Sequence, residues 1–336
     1  MTELMNRQYY LASRPKAAPT PEEVPMRDVV LAPPAAGEVV IKNMFISLDP
    51  AIRGWMSDAP NYIEPIALGD AVHSSVIGRV HQSASDDYAE GDVVMTFGAW
   101  EAYTTAPAAA LNKLDESAGV PLSNFLSVLG PTGLTAYFGL LEVGKPQAGE
   151  TVLVSAAAGA VGSIVGQIAK LKGCRVVGMA GSDEKCAWIK DDLGFDEVIN
   201  YKTCGDFEAA VKAACPEGVD VYFDNVGGDI LDAALLCLNK HARVAVCGWI
   251  SSYNAEVPHF KNLWQLVAES ITIQGFVVLD YVEQFPQGIG QLVQWVMEGK
   301  LQFKEDIVDG LDNVLPTFLK LFDGSNEGKL MIRISE

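Results

Sequence analysis

The chain has 336 residues, is 49% hydrophobic, and carries 24 Lys and Arg against 43 Asp and Glu, a formal net charge of −19. That is enough apolar material for two cored domains, and so acidic a chain is a poor fit to nucleic acid or to an anionic membrane surface. No run of about 18 apolar residues predicts a membrane span; with Glu3, Arg7 and Arg14 the start lacks the apolar core of a secretory signal, so a cytoplasmic protein is expected.

Up to about residue 122 the texture is β-rich and broken by turns. Val39–Lys42, Gly78–His81 and Asp92–Phe97 read as short strands, punctuated by Gly69-Asp70, Glu90-Gly91-Asp92 and several prolines. From about Leu122 strand-like apolar runs alternate with helical periodicity. The expected strands are Thr151–Ser155, Arg175–Met179, Glu197–Asn200, Val219–Asp224, Arg243–Cys247 and Ile271–Phe276. The expected helices are Ala160–Lys172, Asp183–Leu193, Phe207–Ala214, Ile230–Leu238 and Lys261–Glu269. Strand alternating with helix predicts an α/β fold, a doubly wound parallel sheet of the Rossmann kind. The strands are almost continuously apolar, as strands covered on both faces are. A long helix over Tyr281–Glu298 follows, and a tail of short elements is expected to rejoin the first domain. The division expected is residues 1–122 with 299–336 as the β-rich domain and 123–298 as the nucleotide domain.

The segment from Val152 to Gly162 carries the chemistry. A β-branched strand runs into the small-residue turn Ser155-Ala156-Ala157-Ala158-Gly159-Ala160-Val161-Gly162 and opens a helix. Gly159 and Gly162 have the spacing of the last two glycines of the dinucleotide fingerprint, with Ala157 in place of the first. A pyrophosphate needs close backbone approach and unpaired N–H groups at a helix start, so Gly159, Ala160, Val161 and Gly162 are the candidate cradle. Gly162 and Gly166 also let the helix pack closely.

The second strand ends Met179-Ala180-Gly181-Ser182-Asp183-Glu184-Lys185, with no carboxylate at the position that holds a ribose 2′-hydroxyl in NAD sites. Ser182 and Tyr201 offer hydroxyls and Lys185 a positive charge, a set suited to a 2′-phosphate, so the cofactor expected is NADPH. Asp183 and Glu184 serve as acids of a first helical turn.

A zinc alcohol dehydrogenase shares such a layout. An open zinc site there takes a thiolate and a histidine, and a structural lobe takes clustered cysteines. The six cysteines, Cys174, Cys186, Cys204, Cys215, Cys237 and Cys247, all lie in the middle segment; none precedes it, and His73, His81, His241 and His259 are scattered. No metal site is expected. Hydride transfer without a Lewis acid suits a substrate that is already electrophilic, such as an alkene conjugated to a carbonyl.

Several motifs, taken together, resemble one family. They are Ser47-Leu48-Asp49-Pro50 with Arg53-Gly54, Gly133-Leu134-Thr135-Ala136-Tyr137, the glycine turn, Leu171–Gly178, Phe223-Asp224-Asn225-Val226-Gly227-Gly228, Cys247–Asn254 and Asn326-Glu327-Gly328-Lys329. Across nearly its whole length the chain resembles the zinc-free medium-chain dehydrogenase/reductases, in the prostaglandin reductase/leukotriene B4 dehydrogenase branch, nearest to bacterial NADPH-dependent curcumin reductases. The resemblance implies a GroES-like β-rich catalytic domain, a homodimer, and NADPH-dependent reduction of the double bond of a small enone or enal. It implies cofactor contacts from Lys185, Tyr201, Asn225, Cys247, Gly248, Ser251 and Tyr253, from the backbone of Phe276-Val277-Val278, and from Asn326. Tyr253 and Tyr62 are the candidates for orienting substrate. Two departures stand out. Relatives commonly have an aromatic ring after Asp-Pro, where this chain has Ala51, which implies a reshaped pocket; and Gly130-Pro131-Thr132-Gly133 stands where relatives usually read Gly-Met-Pro-Gly. A quinone reductase, an alcohol dehydrogenase working without zinc, and a non-catalytic NADPH-binding protein remain open as alternatives.

Overall fold

The computed structural model describes residues 3–255 and 259–335. Two compact units emerge, residues 1–126 with 305–336 and residues 127–304.

The first unit begins with β1 (Leu4–Tyr9) and β2 (Met26–Leu31), an antiparallel pair. Then come β3 (Glu38–Ser47), the short helix α1 (Ala51–Trp55), β4 (His73–Ser83), β5 (Val93–Ala99), β6 (Tyr103–Pro107) and β7 (Asn112–Lys113). The strands expected from sequence fall in the first half of β3, the second half of β4 and most of β5. Gly78 in β4 permits a tight crossing, because a Cβ there would lie 2.4 Å from the Lys42 carbonyl oxygen of β3. The pairing slips between Asn43 and Phe45, a bulge of the kind that re-aims a strand.

The second unit is the doubly wound sheet. In chain order it runs α2 (Pro131–Phe138), β8 (Thr151–Val154), α3 (Gly162–Leu171), β9 (Arg175–Ala180), α4 (Asp183–Ala187), β10 (Glu197–Asn200), α5 (Phe207–Ala214), β11 (Val219–Asp224), α6 (Gly228–Ala234), β12 (Leu238–Val246), α7 (Gln265–Ala268), β13 (Thr272–Gly275) and α8 (Phe285–Met297). All six strands are parallel, in the order β10-β9-β8-β11-β12-β13. Leu153, Val177, Tyr222 and Val244 are all at most 1% exposed and share one apolar cluster with Val211, Leu231 and Leu235, which is why the sequence shows apolar runs there.

Four expectations are corrected in detail. The helix expected over Lys261–Glu269 shrinks to one turn, and the one expected over Tyr281–Glu298 starts at Phe285, where Pro286 fits a first turn, after a tighter turn over Val278–Gln284. β12 begins five residues before the expected Arg243, with His241 in a left-handed conformation. Gly166 makes room for Phe195 rather than for the sheet. A Cβ at Gly166 would fall 1.9 Å from that ring, which is 3% exposed and also covers Gly178 of β9.

The chain then returns to the first unit with β14 (Glu305–Asp309), α9 (Val314–Asp323) and β15 (Lys329–Arg333). β15 sits between β14 and β3. Its Leu330 and Ile332 join Val314, Leu315 and Phe318 of α9 in the core built on Ile46, Leu48, Ile52 and Trp100. Lys329 is buried and donates to Ser47 Oγ at 2.7 Å and to Asp49 Oδ1 at 2.7 Å, which fixes the Asp49-Pro50-Ala51 segment to the tail.

Candidate functional site

In an open parallel sheet the crevice lies beyond the carboxyl ends of the strands, where the order reverses. Here that point falls between β8 and β11. The turn leaving β8 is tight. Ala156 has φ +48°, and a Cβ at Gly162 would lie 2.4 Å from the Ala156 carbonyl oxygen. Gly159 differs: a Cβ there meets only that oxygen, at 3.1 Å. The Gly159 N–H, expected to face a pyrophosphate, instead donates to Ala156 O at 2.9 Å. The N–H groups of Ala160, Val161 and Gly162 stand at the start of the ten-residue α3, where a helix leaves its first donors without an intrahelical partner. Three such donors beside a positive helix end fit a pyrophosphate.

Ser182 caps α4 by accepting the Lys185 N–H at 3.3 Å, which leaves its own O–H to donate. Tyr201 follows β10 and lies across Gly181: a Cβ on Gly181 would come within 2.8 Å of the Tyr201 hydroxyl and 3.2 Å of Lys202 Cε. Burial pushes the Tyr201 phenol up, so it stays a neutral donor. Asp183 is turned to Asn200, whose amide it accepts at 2.7 Å. The tip of β9 thus presents hydroxyls and lysines, the set that suits a 2′-phosphate.

On the other side of the switch point, Asn225 donates its side-chain amide to Ser155 O at 2.7 Å and its N–H to Ser155 Oγ at 2.8 Å, tying β11 to β8. Cys247 and Gly248 donate their N–H groups to Asp224 O at 2.8 and 3.2 Å. Burial, and then the charge of Asp224, push the Cys247 thiol up to about 12, so it is no nucleophile. Ser251 Oγ donates to Val226 O at 2.7 Å. Gly227, at φ +68°, leaves room for the Trp249 indole, since a Cβ there would lie 1.6 Å from that ring. Burial raises the Tyr253 phenol, offset in part by a hydrogen bond from the Trp249 backbone. The ring of Phe276 turns inward onto Gly139 and, edge-on, onto Phe223, so its backbone and those of Val277 and Val278 follow the end of β13.

The second unit therefore gathers Gly159 to Gly162, Ser182, Lys185, Tyr201, Asn225, Cys247, Gly248, Ser251, Tyr253 and Phe276 to Val278 around the strand ends of one sheet. Tyr62 and Asn326 belong to the first unit. Tyr62 is 52% exposed and meets Trp55 edge-on at 6.3 Å, and Asn326 donates to Gly328 O at 3.2 Å. Ala51 starts α1 and packs on the core, while buried Arg53 donates to the carbonyls of Ala17 and Pro15. Thr132 donates to Ser127 O and Gly133 crosses Val128 closely, so the departing Pro-Thr-Gly run builds the start of α2. Sequence reasoning missed Asp224 and Ser155 as organisers of the strand tips; an acid and a serine at two strand ends were the only trace.

Family models described as N-terminal domain of oxidoreductase and as zinc-binding dehydrogenase match residues 7–114 and 160–295. The NADPH-dependent curcumin reductase of Escherichia coli is 42% identical over 98% of this chain and 97% of its own. This chain belongs to the medium-chain dehydrogenase/reductases. As a member of that family it is also similar to the NADP(+)-dependent 2-alkenal reductase of Nicotiana tabacum, 38% identical over 99% of this chain and 98% of that protein. The crystal structure of CurA from Vibrio vulnificus in complex with NADPH superposes with a TM-score of 0.92, at 39% identity over 98% of this chain and 99% of that one. The family model named for zinc matches residues 160–295, and among the described residues no group of three or more His, Cys, Asp or Glu is placed to hold a metal.

Proposed function

We propose that this medium-chain reductase uses NADPH to reduce the carbon–carbon double bond of α,β-unsaturated ketones or aldehydes. The observation that carries the reading is the pairing of an anion cradle at α3 with a β9 tip that lacks a carboxylate and offers Ser182, Lys185 and Tyr201. Relatives whose names specify NADPH-dependent reduction of curcumin, alkenals and pulegone support the substrate class.

The N–H groups of Ala160, Val161 and Gly162 would hold the pyrophosphate, and Lys185, Ser182 and Tyr201 the 2′-phosphate. The backbone of Phe276 to Val278 would orient the carboxamide, with Asn225 and Ser251 near the ribose. When bound, the reduced nicotinamide supplies a hydride for the β-carbon of an enone. Tyr253, held neutral by burial, donates to the carbonyl oxygen on which charge develops. Tyr62 is the second orienting candidate. Purified protein given NADPH and a panel of short alkenals, long enones, aryl dienones and quinones tests the reading. Turnover of enones without quinones supports it. Quinones alone would assign a quinone reductase, and cofactor binding with no turnover a non-catalytic role.

A homodimer fits the exposed edge of the sheet. All four residues of β13 are exposed, and the preceding segment exposes Trp264 and Val267. Unpaired edges of this kind join copies of a chain. Gln274→Pro should turn a dimer into a monomer in size-exclusion chromatography; a wild-type elution volume would refute edge pairing. Six free cysteines are consistent with a reducing compartment, hence the cytoplasm, and no helix among the described residues is long and apolar enough to cross a membrane.

A further inference from the structure

The reading above makes no use of Asp224, the most deeply buried acid among the described residues of the second unit. Asp224, at the carboxyl end of β11, is 0% exposed, as are its neighbours Ser155, Tyr222 and Phe223. Every hydrogen-bond partner of its carboxylate is a neutral donor. Oδ1 accepts from Tyr222 Oη at 2.7 Å, Ser155 Oγ at 3.0 Å, and the N–H groups of Val226 and Gly227 at 3.1 Å; Oδ2 accepts from Gly227 at 3.0 Å. Both oxygens face backbone N–H groups that can only donate, so the array suits the ionised form. Burial raises the carboxyl's affinity for a proton above the ordinary aspartate value, and the hydrogen bonds from Tyr222, Gly227, Val226 and Ser155 oppose that rise only in part. No lysine or arginine among the described residues pairs with it. With no such cation to offset it, a carboxylate here has its field cancelled only in part by the neutral dipoles around it.

Its place gives that charge a target. In the order β10-β9-β8-β11-β12-β13, the half built on β8, β9 and β10 carries the 2′-phosphate set, which leaves β11, β12 and β13 for the nicotinamide half. Asp224 ends the first strand of that second half. Its carbonyl oxygen receives the N–H groups of Cys247 and Gly248, and its carboxylate pins the turn Val226-Gly227. The two redox forms of a nicotinamide differ by one positive charge on the ring.

We propose that Asp224 is a buried electrostatic bias of the nicotinamide half-site, favouring the oxidised over the reduced cofactor and so strengthening hydride donation. The inference rests on the cofactor reading above and adds to it a role for a group that touches neither cofactor nor substrate. Purely structural roles for Asp224 would weaken both cofactor forms alike. A charge effect changes their ratio, because the pyrophosphate and 2′-phosphate are common to both.

The test is the ratio Kd(NADP+)/Kd(NADPH), measured by fluorescence and calorimetric titration at pH 8. A unit charge acting across about 10 Å at an effective dielectric of about 20 changes an equilibrium on the order of ten-fold. Asp224→Asn, which keeps the shape and most acceptor capacity, should raise the ratio about ten-fold. An unchanged ratio, with both forms still bound, overturns the inference. Tyr222→Phe removes one cancelling dipole and keeps the charge, so it should lower the ratio by roughly two-fold; this variant decides the matter if Asp224→Asn does not fold, and a ratio that stays put or rises refutes the bias. Failure of the wild-type protein to bind either form would instead refute the cofactor reading.

Discussion

Gly162 and Gly159 look alike in the motif, and the structure assigns them different burdens. A Cβ on Gly162 would lie 2.4 Å from Ala156 O, 2.9 Å from Ala157 Cα and 3.0 Å from Ala156 C, all backbone atoms of a turn that already holds Ala156 at φ +48°. For Gly162→Ala the turn would have to withdraw until the contact exceeds 3.0 Å, the limit that real Cβ atoms respect. Such overpacking costs about 1–3 kcal/mol, and a domain of this size loses roughly 2–4 °C of Tm per kcal/mol. Calorimetry on Gly162→Ala should therefore show a fall of roughly 3–10 °C, together with weakened NADPH binding, because Ala160, Val161 and Gly162 present their N–H groups from the same turn. Gly159→Ala meets one atom at 3.1 Å and otherwise open space, so its Tm should stay within about 1 °C while a methyl group intrudes where the pyrophosphate approaches. The discriminating result is the contrast between stability and binding. A Gly162→Ala protein with wild-type Tm, or a Gly159→Ala protein that unfolds early yet binds NADPH normally, would refute this division of labour.

Lys185→Ala removes one charge-assisted contact, about 1.5–3 kcal/mol, and should raise the Michaelis constant for NADPH at least ten-fold while leaving that for NADH within about two-fold; equal changes would remove Lys185 from the 2′-phosphate. Tyr253→Phe should lower turnover of an enone with little change in NADPH dissociation constant, and unchanged turnover would reduce Tyr253 to packing. Thiol alkylation followed by mass spectrometry at pH 8 should label half-exposed Cys204 first. Burial pushes Cys174 and Cys237 up to about 11 and Cys215 and Cys247 up to about 12, so early labelling of Cys247, partly exposed like Cys204, would contradict a thiol held protonated.

The nucleotide unit was legible because its physics is local. A strand buried on both faces must be an apolar run, and a turn that approaches a phosphate must be built of small residues, so Thr151–Val154 and the Gly159–Gly162 turn stand out in one dimension. What was not legible depends on partners far along the chain. Phe195 explains Gly166 only once α3 and β9 face each other, and Asp224 looks like an ordinary strand-end acid until Ser155, 69 residues earlier, is placed against it. Helix lengths near Lys261 and Tyr281 failed for another reason: amphipathic periodicity continues through tight turns as well as through α-helix. The pair β1 and β2 is joined by a long connection with Pro15, Pro19, Pro21 and Pro25, which hides a hairpin from any short-range turn signal.

The position of β15 bears on how this polypeptide is made. The second unit is one continuous stretch, so it has every strand it needs as soon as residue 304 leaves the ribosome. The first unit does not: its inner strand, the Lys329 anchor and the α9 wall of its core are translated after the second unit. Residues 3–126 must therefore wait, incompletely cored, for residues 305–335. Premature termination would leave a finished nucleotide fold attached to an amino-terminal sheet that has no means of closing, the kind of half-assembled product that chaperones and proteases select.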